Sequence, residues 1–178
     1  MKKRWYVGVA LIALTMFCFQ SQALAESEGG PIQLSFAHPI QIYDAETSIT
    51  GLRLNLLYGV NHDMNGLDLG LVNVSKGNFK GLGIGLVNLV YGDVSAWQIG
   101  LANINSAKSN GLQIGLFNAS QATGGVQISL LNSAKAMSGF QLGIMNTAET
   151  LYGFQVGVLN FNWSGEPITF LPIVNFSF

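Results

Sequence analysis

The sequence predicts an all-β fold, a parallel β-solenoid of about eight coils of 14–15 residues with a β-strand cap at each end. Three observations predict it. A phrase of the form G-Φ-Q-Φ-G-Φ-Φ-N, with Φ apolar, runs in eight tandem copies that start at Gly51, Gly66, Gly81, Ala96, Gly111, Gly125, Gly139 and Gly153. Inside each copy apolar residues alternate with small or polar ones, which is the period of a strand and not of a helix. The seventh position after the leading residue is Asn in seven successive copies. A stacked structure has a reason to keep such a residue, because each amide can bond to the same amide one coil away.

The elements follow in chain order. Residues 1–25 read as a secretory signal peptide: Lys2, Lys3 and Arg4, an apolar run from Trp5 to Phe19, then Ala23-Leu24-Ala25. That run falls short of the ~20 residues a spanning helix needs. The lone Cys18 lies inside it, so the remaining chain has no disulfide to staple it. Residues 26–178 form one domain, since no Pro/Ser-rich linker or charge run divides them. Within it, residues 26–50 are an N-terminal cap, 51–162 the repeats and 163–178 a C-terminal cap strand. The phrases Pro31-Ile32-Gln33-Leu34-Ser35-Phe36 and Pro172-Ile173-Val174-Asn175-Phe176-Ser177-Phe178 are related in wording and are expected to pair with the end coils or with one another.

Counting from the leading glycine as zero, positions one, three and five are apolar in every copy, and the expectation is that they fill the interior. The residue two before the glycine (Ile49, Met64, Phe79, Val94, Met137, Leu151) is expected to join them, the chain bending at the glycine. Position two, with Gln98, Gln113, Gln127, Gln141 and Gln155, would then face outward as a flat amide stripe, suited to a glycan or simply bonded to itself. Asn73, Asn88, Asn103, Asn118, Asn132, Asn146 and Asn160 are expected to form a ladder at a tight, left-handed corner. Position six, at Val72, Val87, Phe117, Leu131, Met145 and Leu159, is the candidate interaction stripe, outward and apolar.

An alternative architecture is a ten-stranded antiparallel outer-membrane β-barrel, a pore or a structural protein, with the glutamines lining its lumen and the Phe-ended C-terminal strand closing it. Against it stands a band of only ~14 Å over positions one to five, where lipid needs ~25 Å. Equal repeats also accumulate little of the stagger that closes a barrel.

Units such as Gly111-Leu112-Gln113-Ile114-Gly115-Leu116-Phe117-Asn118 and Gly139-Phe140-Gln141-Leu142-Gly143-Ile144-Met145-Asn146 resemble the bacterial surface-repeat proteins of the leptospiral type. The resemblance covers Gly51 to about Asn162 and implies an exported protein at the cell surface, outer membrane or periplasm. It brings no catalytic residues with it. This chain departs from the phrase at Ala96-Trp97, at Ser129, and in the first copy, where Arg53, Asn55 and Tyr58 stand for the usual Gln, Gly and Asn.

No catalytic, cofactor-binding or metal-ligating set emerges. Removing Lys2, Lys3 and Arg4 leaves five basic residues against nine acidic ones, a net charge near −4, which argues against nucleic acid as a partner. His62-Asp63 with Asp68 is the nearest thing to a metal cluster, and a site needs three or four convergent ligands. Gly81-Leu82-Gly83-Ile84-Gly85 has the glycines of a phosphate loop without the helix that such a loop opens. No serine sits in a nucleophile elbow, and two histidines offer little for a triad. The expected function is a non-enzymatic envelope or surface repeat protein with a structural or binding role, needing no cofactor, its partner an envelope protein, a glycan or the outer-membrane surface. The sequence leaves its oligomeric state open.

Overall fold

The computed structural model describes residues 29–178, so the signal-peptide reading and Cys18 lie outside the described residues. The described chain is a β-solenoid of about seven turns and not a barrel. Its strands are β1 (Gly30–Ala37), β2 (Ile40–Gln41), β3 (Ile49–Asn61), β4 (Met64–Ser75), β5 (Phe79–Ile84), β6 (Val87–Val90), β7 (Val94–Ile99), β8 (Ala102–Ile114), β9 (Phe117–Thr123), β10 (Val126–Asn162) and β11 (Phe170–Ser177). From β1 to β10 each coil lies parallel to the next, with like over like apart from a few bulges: Gly66 on Gly51, Leu82 on Leu67, Asn88 on Asn73, Gln113 on Gln98. Short-turned barrel strands would run antiparallel, and the parallel ladder excludes that alternative. Only the ends are antiparallel: β2 folds back on β1, and β11 on the last coil.

A coil is clearest in the third copy. A first strand runs from Phe79 to Ile84, a corner falls at Gly85-Leu86, a second strand runs from Val87 to Val90, and a turn at Tyr91–Asp93 leads to the next coil. The first strand keeps its ladder pairing through the leading glycine, which is itself exposed at Gly81 between buried Phe79 and Gly83. What glycine supplies is room: Gly66, Gly81, Gly111, Gly139 and Gly153 all hold φ between 125° and 152°, and a Cβ there would collide with a carbonyl oxygen of the coil beneath.

The larger correction concerns which face is inside. Gln98, Gln127, Gln141 and Gln155 are wholly buried, while Ile84, Leu86, Ile99, Leu101, Ile114 and Leu116 are exposed. Positions one, three and five point to solvent, and the glutamines form the interior. Alternation divides a strand into two faces without saying which is inward. Here the amides take the interior because each is completed by its copy: Gln127 Nε2 donates to Gln113 Oε1, Gln141 to Gln127 and Gln155 to Gln141, each at 2.8 Å. A buried amide with its partners in place carries little of the desolvation penalty that normally keeps Gln at the surface.

Residues two before the glycine were expected inside and are: Ile49, Met64, Phe79, Val94, Met137 and Leu151 are buried. They form two apolar clusters, one around Ile49, Met64, Phe79 and Val94, the other around Met137, Ala148 and Leu151. Between them the same column turns polar at Ser109 and Thr123, and the neighbouring side chains follow. Asn105 Nδ2 donates to Gln98 Oε1 at 2.9 Å and to Ser109 Oγ at 3.2 Å, and Ser120 Oγ donates to Gln113 Oε1 at 3.1 Å.

Candidate functional site: two internal ladders and an apolar flank

The Asn ladder is present throughout. Asn73, Asn88, Asn103, Asn118, Asn132 and Asn146 each donate Nδ2 to the Oδ1 of the next, ending on Asn160, at 2.8–3.1 Å. Each also donates to a backbone carbonyl of the following coil, as Asn88 does to Ile99 at 3.2 Å and Asn146 to Val156 at 2.9 Å. The ladder braces the inside of the Gly-Leu corner. A left-handed Asn conformation is not used: among the described residues the only non-glycine with positive φ is Ile173, at 71°. The glycine at position four makes room for it, since a Cβ on Gly85 would lie 2.8 Å from Asn73 Nδ2. Where Ser129 replaces that glycine, its hydroxyl donates to Asn132 Oδ1 at 2.8 Å and so belongs to the ladder.

The first coil solves the same problem with exchanged residues. A bulge between Asn55 and Tyr58 puts Gly59, not Tyr58, opposite Asn73. Asn55, at the glycine position, donates Nδ2 to Asn73 Oδ1 at 2.9 Å and fills the space over Gly59. Asparagine and glycine have traded places along the strand and the ladder still reaches its first rung.

The glutamine column is varied in the same compensating way. In the third copy Gly83 stands in it, and a Cβ there would meet the Phe79 ring at 3.0 Å, so the phenyl group occupies the space of the missing amide. Below it, Arg53 and Asp68 form an ion pair with side chains 0% and 3% exposed. Arg53 Nε donates to Asp68 Oδ1 at 2.8 Å and Nη2 to Oδ2 at 2.5 Å, and Nη1 donates to Val74 O at 2.8 Å. A planar fork with this many acceptors is the arrangement that makes a buried charge tolerable. Both ends of the column are closed. Gln33 pairs with the Tyr43 backbone through Nε2 to O and N to Oε1, each 2.9 Å, and Asn175 Nδ2 donates to Gln155 Oε1 at 3.4 Å.

These arrangements consume the polar side chains that sequence reasoning placed outside. The outward amide platform for a glycan is therefore corrected: Gln98, Gln113, Gln127, Gln141 and Gln155 are not accessible. His62, Asp63 and Asp68 do not converge either. His62 Nδ1 lies 3.4 Å from Asp63 at the surface, and Asp68 turns inward to Arg53. Among the described residues no group of three or more His, Cys, Asp or Glu is placed to hold a metal ion. The Gly81–Gly85 run lies on a strand and the corner after it, with a further strand following.

Outside, positions one, three and five make an uncharged apolar flank along the whole rod. It includes Leu67, Ile84, Trp97, Ile99, Leu116 and Ile144, and end strands extend it through Leu34 and Phe176. The expected stripe at position six lies just past the corner. Phe117, Leu131 and Leu159 are exposed, and Val72, Val87 and Met145 are half-buried. Sequence reasoning found the stripe and missed the flank beside it, because it had assigned those residues to the core. At the N-terminal end, Leu34, Phe36, Ile40, Ile42, Leu54 and Leu56 line an open groove of about 930 Å³. No helix of the described residues is long and apolar enough to cross a membrane, which says nothing of strands.

The fold and flank define a class: a β-solenoid repeat protein with a hydrogen-bonded amide interior and a greasy exterior face. Compared with protein-family models, curated proteins and solved structures, the chain matches none.

Proposed function

We propose that this chain is a non-enzymatic exported repeat protein of the bacterial envelope or cell surface, whose rigid β-stack serves a structural or binding role through its apolar exterior. One observation carries the reading. The column amides, the hydroxyls bonded to them and the Arg53–Asp68 pair are locked inside the stack, and the outer side of the first strands is a long run of exposed apolar side chains of the kind that marks association. The signal-peptide pattern of residues 1–25 and the resemblance of the repeats to leptospiral-type surface proteins support export. An envelope protein or the outer-membrane surface suits the exposed side chains, and no cofactor or nucleic acid enters the reading.

The position-six stripe is the part of the exterior left free on the second strand of each coil. Replacing Phe117, Leu131 and Met145 together by Ser is expected to release the protein from the envelope fraction while leaving its circular dichroism unchanged. A well-folded triple variant that still fractionates with the envelope removes the stripe from the proposal.

A further inference from the structure

We infer that the face built from positions one, three and five packs against the same face of a second copy of this chain, giving a two-fold dimer of stacked sheets. The inference rests on the reading above that the exterior is an association surface, and it names the occupant of one part of it.

Area, charge and shape carry the argument. Four residue steps of ~3.3 Å across the face and ten strands at ~4.8 Å along the rod give ~600 Å² per copy, so two copies cover ~1,200 Å², above the ~1,000 Å² that a specific interface needs. In all eight copies of the phrase these positions hold only Leu, Ile, Val, Phe or Trp, so two identical faces meet without like charges. The column bordering the face, one residue before each leading glycine, is exposed and mostly polar: Thr50, Asn65, Lys80, Ser95, Asn110 and Ser138. On that side the apolar face ends at a polar border of the kind that rims a protein interface, while on the other side it runs to the corner that leads to the position-six stripe. A stripe that lies on an anionic bilayer is flanked by several Lys or Arg, and here Lys80 is the single cation in the bordering column.

The shape is self-complementary for the same reason that the coils stack. Side chains stand in straight rows set by the register of the ladder, and rows on two sheets ~10 Å apart interdigitate as in other sheet-on-sheet cores. A two-fold axis through the face centre brings the middle coils together, so Ile99 and Ile114 sit at the heart of the contact. The position-six stripe lies around the corner and stays free.

Light scattering on the full chain, purified after expression and export in detergent-free buffer, tests this. The expected result is twice the chain mass, and single-chain mass for Ile99→Lys with Ile114→Lys at unchanged circular dichroism. If the lysines perturb folding, Leu101→Ser with Leu116→Ser on the same face provides the second variant, with the same expected halving. A single-chain mass for the unaltered protein at ~100 μM, a folded variant that remains a dimer, or capture of single chains by phosphatidylcholine vesicles overturns the inference, the last assigning the face to lipid. Envelope fractionation of the Phe117, Leu131 and Met145 variant is read separately, so a monomer that still associates with the envelope sinks the dimer and leaves the proposed function standing.

Discussion

Arg53 and Asp68 show how tightly each residue in the glutamine column depends on its neighbours. Their bidentate pair replaces two rungs of amide, and neither charge has access to water. Arg53→Gln strands the Asp68 carboxylate in a dry interior, and removing one partner of such a pair costs ~3–5 kcal/mol. The double variant Arg53→Gln with Asp68→Gln continues the column seen at Gln113–Gln155 and is expected to recover most of that loss. Urea titration of the two variants gives the comparison; an equal loss in both would mean that the amides do not complete one another at this end. Gly83 beside Phe79 and Asn55 beside Gly59 are further cases in which a departure from the repeat phrase is answered by a second residue close by.

At the scale of the strand, β11 decides how the stack stops. Its inner edge pairs with the last coil, Phe176 opposite Phe154 and Asn175 opposite Gln155. Along it Pro172 has no N–H to offer, and Ile173 sits at φ 71°, in the left-handed region that a β-branched residue rarely adopts, where the pairing slips between Gly157 and Asn160. Removing residues 170–178 bares a straight edge of unpaired backbone, and the truncated chain is expected to associate end to end into species well above dimer mass in light scattering. A truncated chain no larger than the intact one would show that β11 is not the guard. Much of this level was legible in the sequence. The strand period, the register of 14–15 residues, the buried Ile49, Met64, Phe79, Val94, Met137 and Leu151, the Asn ladder and the pairing of both end phrases with end coils all follow from like recurring over like. What was not legible is the inversion of the first strand. Hydrophobicity normally marks the inward face, and that rule fails where a polar side chain finds its complement in its own copy one coil away. The exchange of Asn55 and Gly59 was equally hidden, since it turns on a bulge that no single residue announces.

Over the whole molecule, every coil from β3 to β10 presents nearly the same upper and lower surface, so stability is a sum of interfaces between neighbours. Inserting a second copy of residues 111–124 after Gly124 places Gln over Gln and Asn over Asn, and the enlarged chain is expected to fold with a melting temperature no lower than that of the parent. Its rod should be longer by ~4.8 Å, readable in solution scattering. A misfolded or aggregated insertion variant would show that the polar middle coils are fixed by place and not by kind. The in-register amides thus make length a quantity that can be changed in whole steps. Duplicating or losing one phrase in the gene alters the span of the molecule by a set increment while both ends and the cross-section stay as they are, so the protein can act as a ruler whose divisions are written in its own repeats.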